Sequence, residues 1–242
     1  MEIINVMGFN VFSGKLEEVP LRKGAVSVLS TISPNSYGIS TWDSQFKSAL
    51  KEADILVLDG VYFALASIIL LGKNIKKNQG PDVFRFYMKK LNDIYGKAFF
   101  LGSSEETLSK IVANAKIEYP NVVIKTFSPS FSQELGKEEN EIIYESVNSF
   151  EPDVLFVGMT CPKQEKWANN NKYFINVQLI CCVGAVFDWF AGNQKDISPI
   201  WWKLRLAWLK RTIDRPEILL RYPNIFIFFR DLFLAVFKII HK

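Results

Sequence analysis

Uninterrupted apolar quartets set the first constraint on this chain. Ile55-Leu56-Val57-Leu58, Ala98-Phe99-Phe100-Leu101 and Val154-Leu155-Phe156-Val157 each run four residues without a polar position. An alternating pattern would leave one side of a strand in water, whereas a continuous one must bury both. Residues 25–31, 122–126 and 177–183 add three more β-rich runs. Between them, residues 42–52, 60–71, 82–95, 103–118, 137–149 and 162–172 carry helical spacing. Strands buried on both sides and alternating with helices predict an α/β fold: a parallel, Rossmann-like sheet covered by helices on both faces. Residues 60–71 are apolar nearly all round, which predicts a central helix.

In that fold class ligands bind beyond the carboxyl ends of the strands. The polar and glycine-bearing turns there are Ser33-Pro34-Asn35-Ser36, Asp59-Gly60, Gly102-Ser103-Ser104, the segment from Gly158 through Lys163, Gln164 and Glu165, and Gly184 to Asp188. Glycine before a capped helix presents amides that suit a phosphate, although Gly102-Ser103 reads equally well as a geometric turn. Asp59, directly after four apolar strand residues, suits a general base for a hydroxyl acceptor or, alternatively, the N-cap of the next helix. Asp188, set among apolar neighbours, reads as a buried structural carboxylate or as a second carboxylate of the site.

Several chemistries are excluded. The single histidine is His241, so Ser-His-Asp and Cys-His systems lack their base. There is no Cys/His cluster with zinc spacing, no G-x-G-x-x-G and no P-loop. Asp-x-Asp, which many nucleotide-sugar enzymes use to hold a metal, is also missing. Charge on a leaving diphosphate would then fall to amides, Lys and Arg. Three cysteines, two of them adjacent, form no disulfide framework and point to a reducing cytoplasm. No secretory signal is read at the start, and no uninterrupted apolar run reaches the ~18 residues of a spanning helix.

The turns now form a recognisable set. Ala53-Asp54 before Ile55-Leu56-Val57-Leu58-Asp59-Gly60, the Pro162-Lys163-Gln164-Glu165-Lys166-Trp167 segment after Gly158, and Val183-Gly184-Ala185-Val186-Phe187-Asp188 with Ala191-Gly192 occur in order. Pro199, Trp208-Leu209, Arg211, Pro216 and Arg221-Tyr222 follow. Together they resemble the WecG/TagA/CpsF glycosyltransferases (glycosyltransferase family 26) over nearly the whole chain. The resemblance implies a GT-E type core and inverting transfer of an N-acetylmannosamine-type sugar from a UDP-sugar. The implied acceptor is a polyprenyl-diphosphate-linked saccharide of cell-surface polysaccharide or teichoic acid synthesis. No cofactor and no metal are implied. By position, Asp59 becomes the base and Asn35 a substrate-contacting side chain. Ser33, Lys77, Gly102, Ser103, Gly158, Lys163, Gln164, Glu165 and Asp188 become substrate-binding residues. Arg211, Arg215 and Arg221 would meet the acceptor diphosphate. Departures from the family pattern fall at Ser33 for Thr, Ser36-Tyr37 for Pro-Glu, Lys77 for Arg and Ile197 for Arg. They leave the reaction class intact and the identity of the sugar open.

Charge is unevenly distributed. Residues 201–242 carry nine Lys/Arg against three acidic residues, so +6 of the net +4 lies there and residues 1–200 carry −2. Ile225, Phe228, Phe229, Leu232, Phe233, Val236, Phe237 and Ile240 repeat with helical spacing behind Trp201, Trp202 and Trp208. This predicts a catalytic domain over 1–195 and a basic, aromatic helical appendage over 196–242. The appendage would lie on the anionic inner leaflet, or else pack on the core or on another copy in a homo-oligomer. The expected location is cytoplasmic and peripheral on the inner face of the cell membrane. Three rival readings remain: an epimerase or a UDP-glucose/galactose-type transferase, a non-catalytic membrane scaffold, and nucleic-acid binding. The Trp/Phe content of the tail argues against the last.

Overall fold

The computed structural model describes residues 2–22, 24–193, 199–203 and 207–240; the side chains of 199, 202, 207–209, 211, 239 and 240 lie outside that description. Pro199, Trp202, Trp208, Arg211 and Ile240 therefore have no described side chains, and Ile197 and His241 lie outside the described residues altogether.

A hairpin comes first, β1 (Ile3–Val6) paired antiparallel with β2 (Phe9–Phe12). Its two-residue turn, Met7-Gly8, has positive φ at both positions (50° and 84°), the geometry that matches the twist of the flanking strands. The alternating units follow as β3 (Ser27–Ile32), α1 (Pro34–Ser40), α2 (Ser44–Lys51), β4 (Ile55–Leu58), α3 (Val61–Leu71) and α4 (Gly80–Asp93). Next come β5 (Lys97–Gly102), α5 (Glu105–Glu118), β6 (Val123–Phe127), α6 (Lys137–Phe150), β7 (Val154–Gly158) and α7 (Lys163–Asn171). The last units are β8 (Leu179–Cys182), α8 (Val186–Phe190), α9 (Pro199–Lys203), α10 (Ala207–Asp214) and α11 (Tyr222–Ile240).

Six strands form one sheet in the order β4-β3-β8-β7-β5-β6, every neighbouring pair parallel. The apolar quartets are its most buried strands: β4 at one edge, and residues 154–157 of β7, are buried at every position. Alternate residues serve opposite faces. Leu29, Val57, Phe100 and Phe156 pack under α4, α5 and α8, while Val28, Phe99, Leu155 and Ile180 pack under α6 and α7. Ile32, Leu56 and Leu58 join Phe46 and Leu50 of α2, Phe63 of α3 and Val6, Phe9 and Val11 of the hairpin.

The same cluster holds the tail. Phe228 and Leu232 of α11 are buried in it, Phe228 with its ring centroid 5.1 Å from Phe63 and 5.5 Å from Tyr37. Burying a side chain of this kind contributes about 1.5–3 kcal/mol. The predicted stripe of α11 is therefore split: Phe228 and Leu232 face inward, and Phe229, Phe233 and Phe237 face outward. α3 corrects a second expectation. Its apolar circumference predicts a central helix, yet only Phe63, Ala64, Ala66 and Ser67 are buried, and Val61, Tyr62, Leu65, Ile68 and Ile69 are exposed. It sits at the border of the fold, beside the edge strand β4.

Glycine sets the distance between α1 and α11. A Cβ on Gly38 would lie 2.2 Å from the carbonyl oxygen of Asn224, a backbone atom that cannot swing aside. Gly38→Ala is expected to lose about 1–3 kcal/mol of stability, the usual cost of overpacking. It should also expose residues 225–237 to chymotrypsin before the sheet unfolds. Denaturant melts and timed digestion check this; unchanged stability with an uncut tail would show that the two helices separate freely.

Candidate active site

The helices that follow β3 and β8 leave in opposite directions. α1 packs on the face that carries Ile32 and Leu58, α8 on the face that carries Leu29 and Val57. Since β3 and β8 are adjacent, their carboxyl ends form the topological switch point at which this fold class binds ligands in a crevice. Ser33, Asp59, Gly158, Gln164, Gly184 and Asp188 all border that edge.

Asp59 continues β4, its amide donating to the Ile32 carbonyl at 2.9 Å, so its carboxylate stands next to the end of β3. It is half-buried. The N-cap of α3 is Gly60, whose φ of 86° favours glycine, so Asp59 does not have the capping role. Lys77 bridges to Leu58 in parallel register, which brings it to the same strand end as Asp59. It is exposed there and lines a cleft of about 280 Å³ with Glu17, Lys76 and Asp82.

Ser33 caps α1, its hydroxyl accepting from the Ser36 amide at 3.3 Å. Asn35, in the first turn, accepts at Oδ1 from Nδ2 of Asn224 at 3.2 Å, and Oδ1 of Asn224 accepts from the Trp42 indole at 3.1 Å. One tail amide is thus locked between two body residues. Further along, the Tyr37 hydroxyl donates to Asp231 at 3.2 Å; burial first, and then this carboxylate, push the phenol up to about 12. The Asn35–Asn224 and Tyr37–Asp231 pairings were not legible in the sequence, because their partners lie some 190 residues apart.

After β7, the turn at 159–162 includes a cis Cys161-Pro162 bond and leads into α7. Gln164 and Glu165 point into the protein. Gln164 donates from Nε2 to Glu165 at 2.9 Å, and its amide lies 3.5 Å from where a Cβ on Gly184 would stand. Among the described residues Oε1 of Gln164 and Oε2 of Glu165 have no hydrogen-bond partner. Lys163 turns the other way: its ammonium donates to the carbonyls of Ser132 (2.8 Å) and Ser130 (3.5 Å) in the loop after β6. That loop lies beyond the carboxyl end of β6, and burial lowers the pKa of the ammonium.

Gly102 and Ser103 lie at the far end of the edge, four strand spacings or about 19 Å from Asp59. A Cβ on Gly102 would meet the Gly158 backbone at 2.7 Å, so close packing of β5 on β7 accounts for this glycine. Ser104 caps α5, whereas the Ser103 carbonyl accepts from Ser128. Asp188 is half-exposed in the first turn of α8 and so is not the fully buried structural group.

With this geometry in place, comparison with known proteins is decisive. The chain matches the Glycosyl transferase WecG/TagA/CpsF family over residues 4–241. It belongs to that family of glycosyltransferases. Among its relatives are N-acetylglucosaminyldiphosphoundecaprenol N-acetyl-beta-D-mannosaminyltransferases of three bacteria. The protein of Bacillus subtilis (strain 168) is 25% identical over 191 residues, covering 78% of this chain and 72% of the relative. That of Bacillus spizizenii (strain ATCC 23059 / NRRL B-14472 / W23) is 22% identical, covering 85% and 78%. That of Staphylococcus aureus (strain NCTC 8325 / PS 47) is 26% identical, covering 76% and 70%.

In this glycosyltransferase the tail reaches the same edge. Arg221 lies near enough to Cys161 for its charge to oppose the rise in the thiol's pKa that burial and Glu165 produce. Arg215 donates from Nε to Glu217 at 2.8 Å on the surface. The side chain of Arg211 lies outside the described residues.

Glu165 is 2% exposed, and burial pushes its carboxyl up from 4.5 to about 6. A raised folded-state pKa gives stability that is complete below pH 4.5 and is lost as pH rises through 6. The loss amounts to about 2 kcal/mol. Glu165→Gln removes this titration, so the variant should gain about 2 kcal/mol relative to the parent between pH 4.5 and 7. Urea melts at both pH values read it; a constant difference would show that Glu165 is ionised throughout.

Proposed function

We propose that this glycosyltransferase moves an N-acetylmannosamine-type sugar, with inversion, from a UDP-sugar to a polyprenyl-diphosphate-linked saccharide. The relatives named above are N-acetyl-beta-D-mannosaminyltransferases whose acceptor is a diphosphoundecaprenol-linked N-acetylglucosamine. The observation that supports the reading for this chain is the placement of Asp59 at the carboxyl end of β4, its amide bonded to the Ile32 carbonyl at the end of β3.

Each group then has a task. Asp59 accepts the proton of the acceptor hydroxyl as it attacks the anomeric carbon, and the bond to the UDP oxygen breaks on the opposite face. UDP leaves with the electron pair, its charge met by backbone amides at the Gly158 and Gly184 turns and by Lys77. Gln164, its Oε1 unpartnered against the Gly184 turn, contacts the donor. Asn35 and Ser33 border the sugar, held by Asn224 and by the α1 cap. Arg221, with Arg211, meets the acceptor diphosphate from the tail. Lys163 and Arg215 reach a phosphate only by exchanging their present partners. Such an acceptor places the working enzyme on the inner face of the cell membrane. Among the described residues no helix is long and apolar enough to cross it.

Asp59→Asn keeps the size of the side chain and removes proton acceptance. Turnover should fall about 10²–10⁴-fold while UDP-sugar affinity changes little. The measurement is UDP release that depends on a short-prenyl-diphosphate saccharide, beside donor binding by calorimetry. Near-parental turnover in a folded variant would remove Asp59 from the chemistry; UDP release without acceptor would favour hydrolysis over transfer.

A further inference from the structure

α3 carries more apolar surface than its packing uses. Phe63, Ala64 and Ala66 fill its inner side, yet Val61, Tyr62, Leu65, Ile68 and Ile69 stand on the opposite arc, each between 44% and 59% exposed. On a helix of 100° per residue these five positions span about 120°, so they form one stripe rather than scattered contacts. No charged residue occurs from Gly60 to Gly72.

This stripe is continuous with another. On α11, Phe226, Phe229, Phe233 and Phe237 repeat at three- and four-residue spacing and are all exposed. Tyr62 and Phe229 join the two helices edge to face, ring centroids 5.3 Å apart. Nine large apolar side chains on two touching helices make a surface that a water-facing protein rarely leaves open.

The flanking charge selects the occupant. Lys73, Lys76 and Lys77, all exposed, follow α3 directly, and no acidic residue lies between positions 60 and 81. A second copy applied to this region through a two-fold axis would offer those lysines only Glu17 and Asp82, which already line the cleft beside Lys76 and Lys77, whereas an anionic leaflet supplies counter-charge across its whole area. We infer that the outer face of α3, joined to the outer stripe of α11, docks on an anionic lipid bilayer. The inference rests on the lipid-linked acceptor proposed above. It adds that the body of the enzyme, and not its tail alone, seats on the membrane. Because α3 begins two residues after Asp59, docking sets the candidate base at the level of the headgroups, where a prenyl-linked diphosphate lies.

The test is co-sedimentation of the full chain with vesicles of phosphatidylglycerol and phosphatidylcholine, against phosphatidylcholine alone. The double variant Leu65→Gln/Ile69→Gln, with α11 untouched, should bind phosphatidylglycerol vesicles at least about tenfold more weakly. Lys73→Glu/Lys76→Glu should lose the preference for phosphatidylglycerol. Both should keep the parental melting temperature and UDP release with a short, water-soluble acceptor. Parental vesicle binding in either double variant would overturn the proposal; the lysine pair decides the matter if the glutamine pair does not fold. A parent protein that is oligomeric by light scattering and that the glutamine pair splits would also overturn it, since the face would then belong to a second copy. Failure of the parent to release UDP with the soluble acceptor contradicts the transfer reading, and vesicle binding remains readable without it.

Discussion

The fit of α11 against α1 is the contact on which the rest of the site depends. It is made possible by the missing side chain at Gly38, is directed by the Asn224 amide held between Asn35 and Trp42, and is stabilised by Phe228 among Tyr37 and Phe63. Each feature is modest alone. Together they fix a basic, aromatic tail beside a strand end that carries the candidate base, and they bring Arg221 within electrostatic reach of the β7 turn. Without this contact the sheet would keep its core, since the clusters beneath α4–α8 contain no α11 residue.

The buried pair Gln164–Glu165 plays a complementary part. A carboxyl group with almost no exposure costs stability whenever it ionises, and an amide oxygen beside it without a partner among the described residues adds to that cost. Such groups persist where a ligand completes them or where they hold a neighbour in place. Their position against the Gly184 turn, between β7 and β8, joins them to the crevice rather than to the distant core.

Much of the fold was legible because four-residue apolar strands have few alternatives: β4 falls where Ile55–Leu58 predicts it, and the other strands shift by a residue or two. The β1–β2 hairpin was not legible, since its strands are short and Met7-Gly8 lacks the Asn-Gly signature of such turns. α3 misled because apolarity all round a helix does not say that protein covers every side, and Val61, Tyr62, Leu65, Ile68 and Ile69 are exposed. In the site, Asp59 could be placed from the strand that precedes it. The Asn35–Asn224 link could not, because 189 residues separate the two and no local pattern encodes a tertiary pairing. Lys163 and Arg215 were expected at phosphate from the family resemblance, and sequence could not show that a carbonyl pair and a carboxylate two residues away engage them.

The most direct measurement is the structure of the product formed from UDP-N-acetylmannosamine and a short-prenyl-diphosphate N-acetylglucosamine. Mass spectrometry and the anomeric coupling of the new linkage would be read on one sample. The predicted result is an acceptor heavier by one N-acetylhexosamine, joined with inverted configuration. An acceptor returned unchanged beside free sugar or an isomerised donor, or a product that retains the donor's anomeric configuration, would contradict a site built around a single carboxylate base at the end of β4.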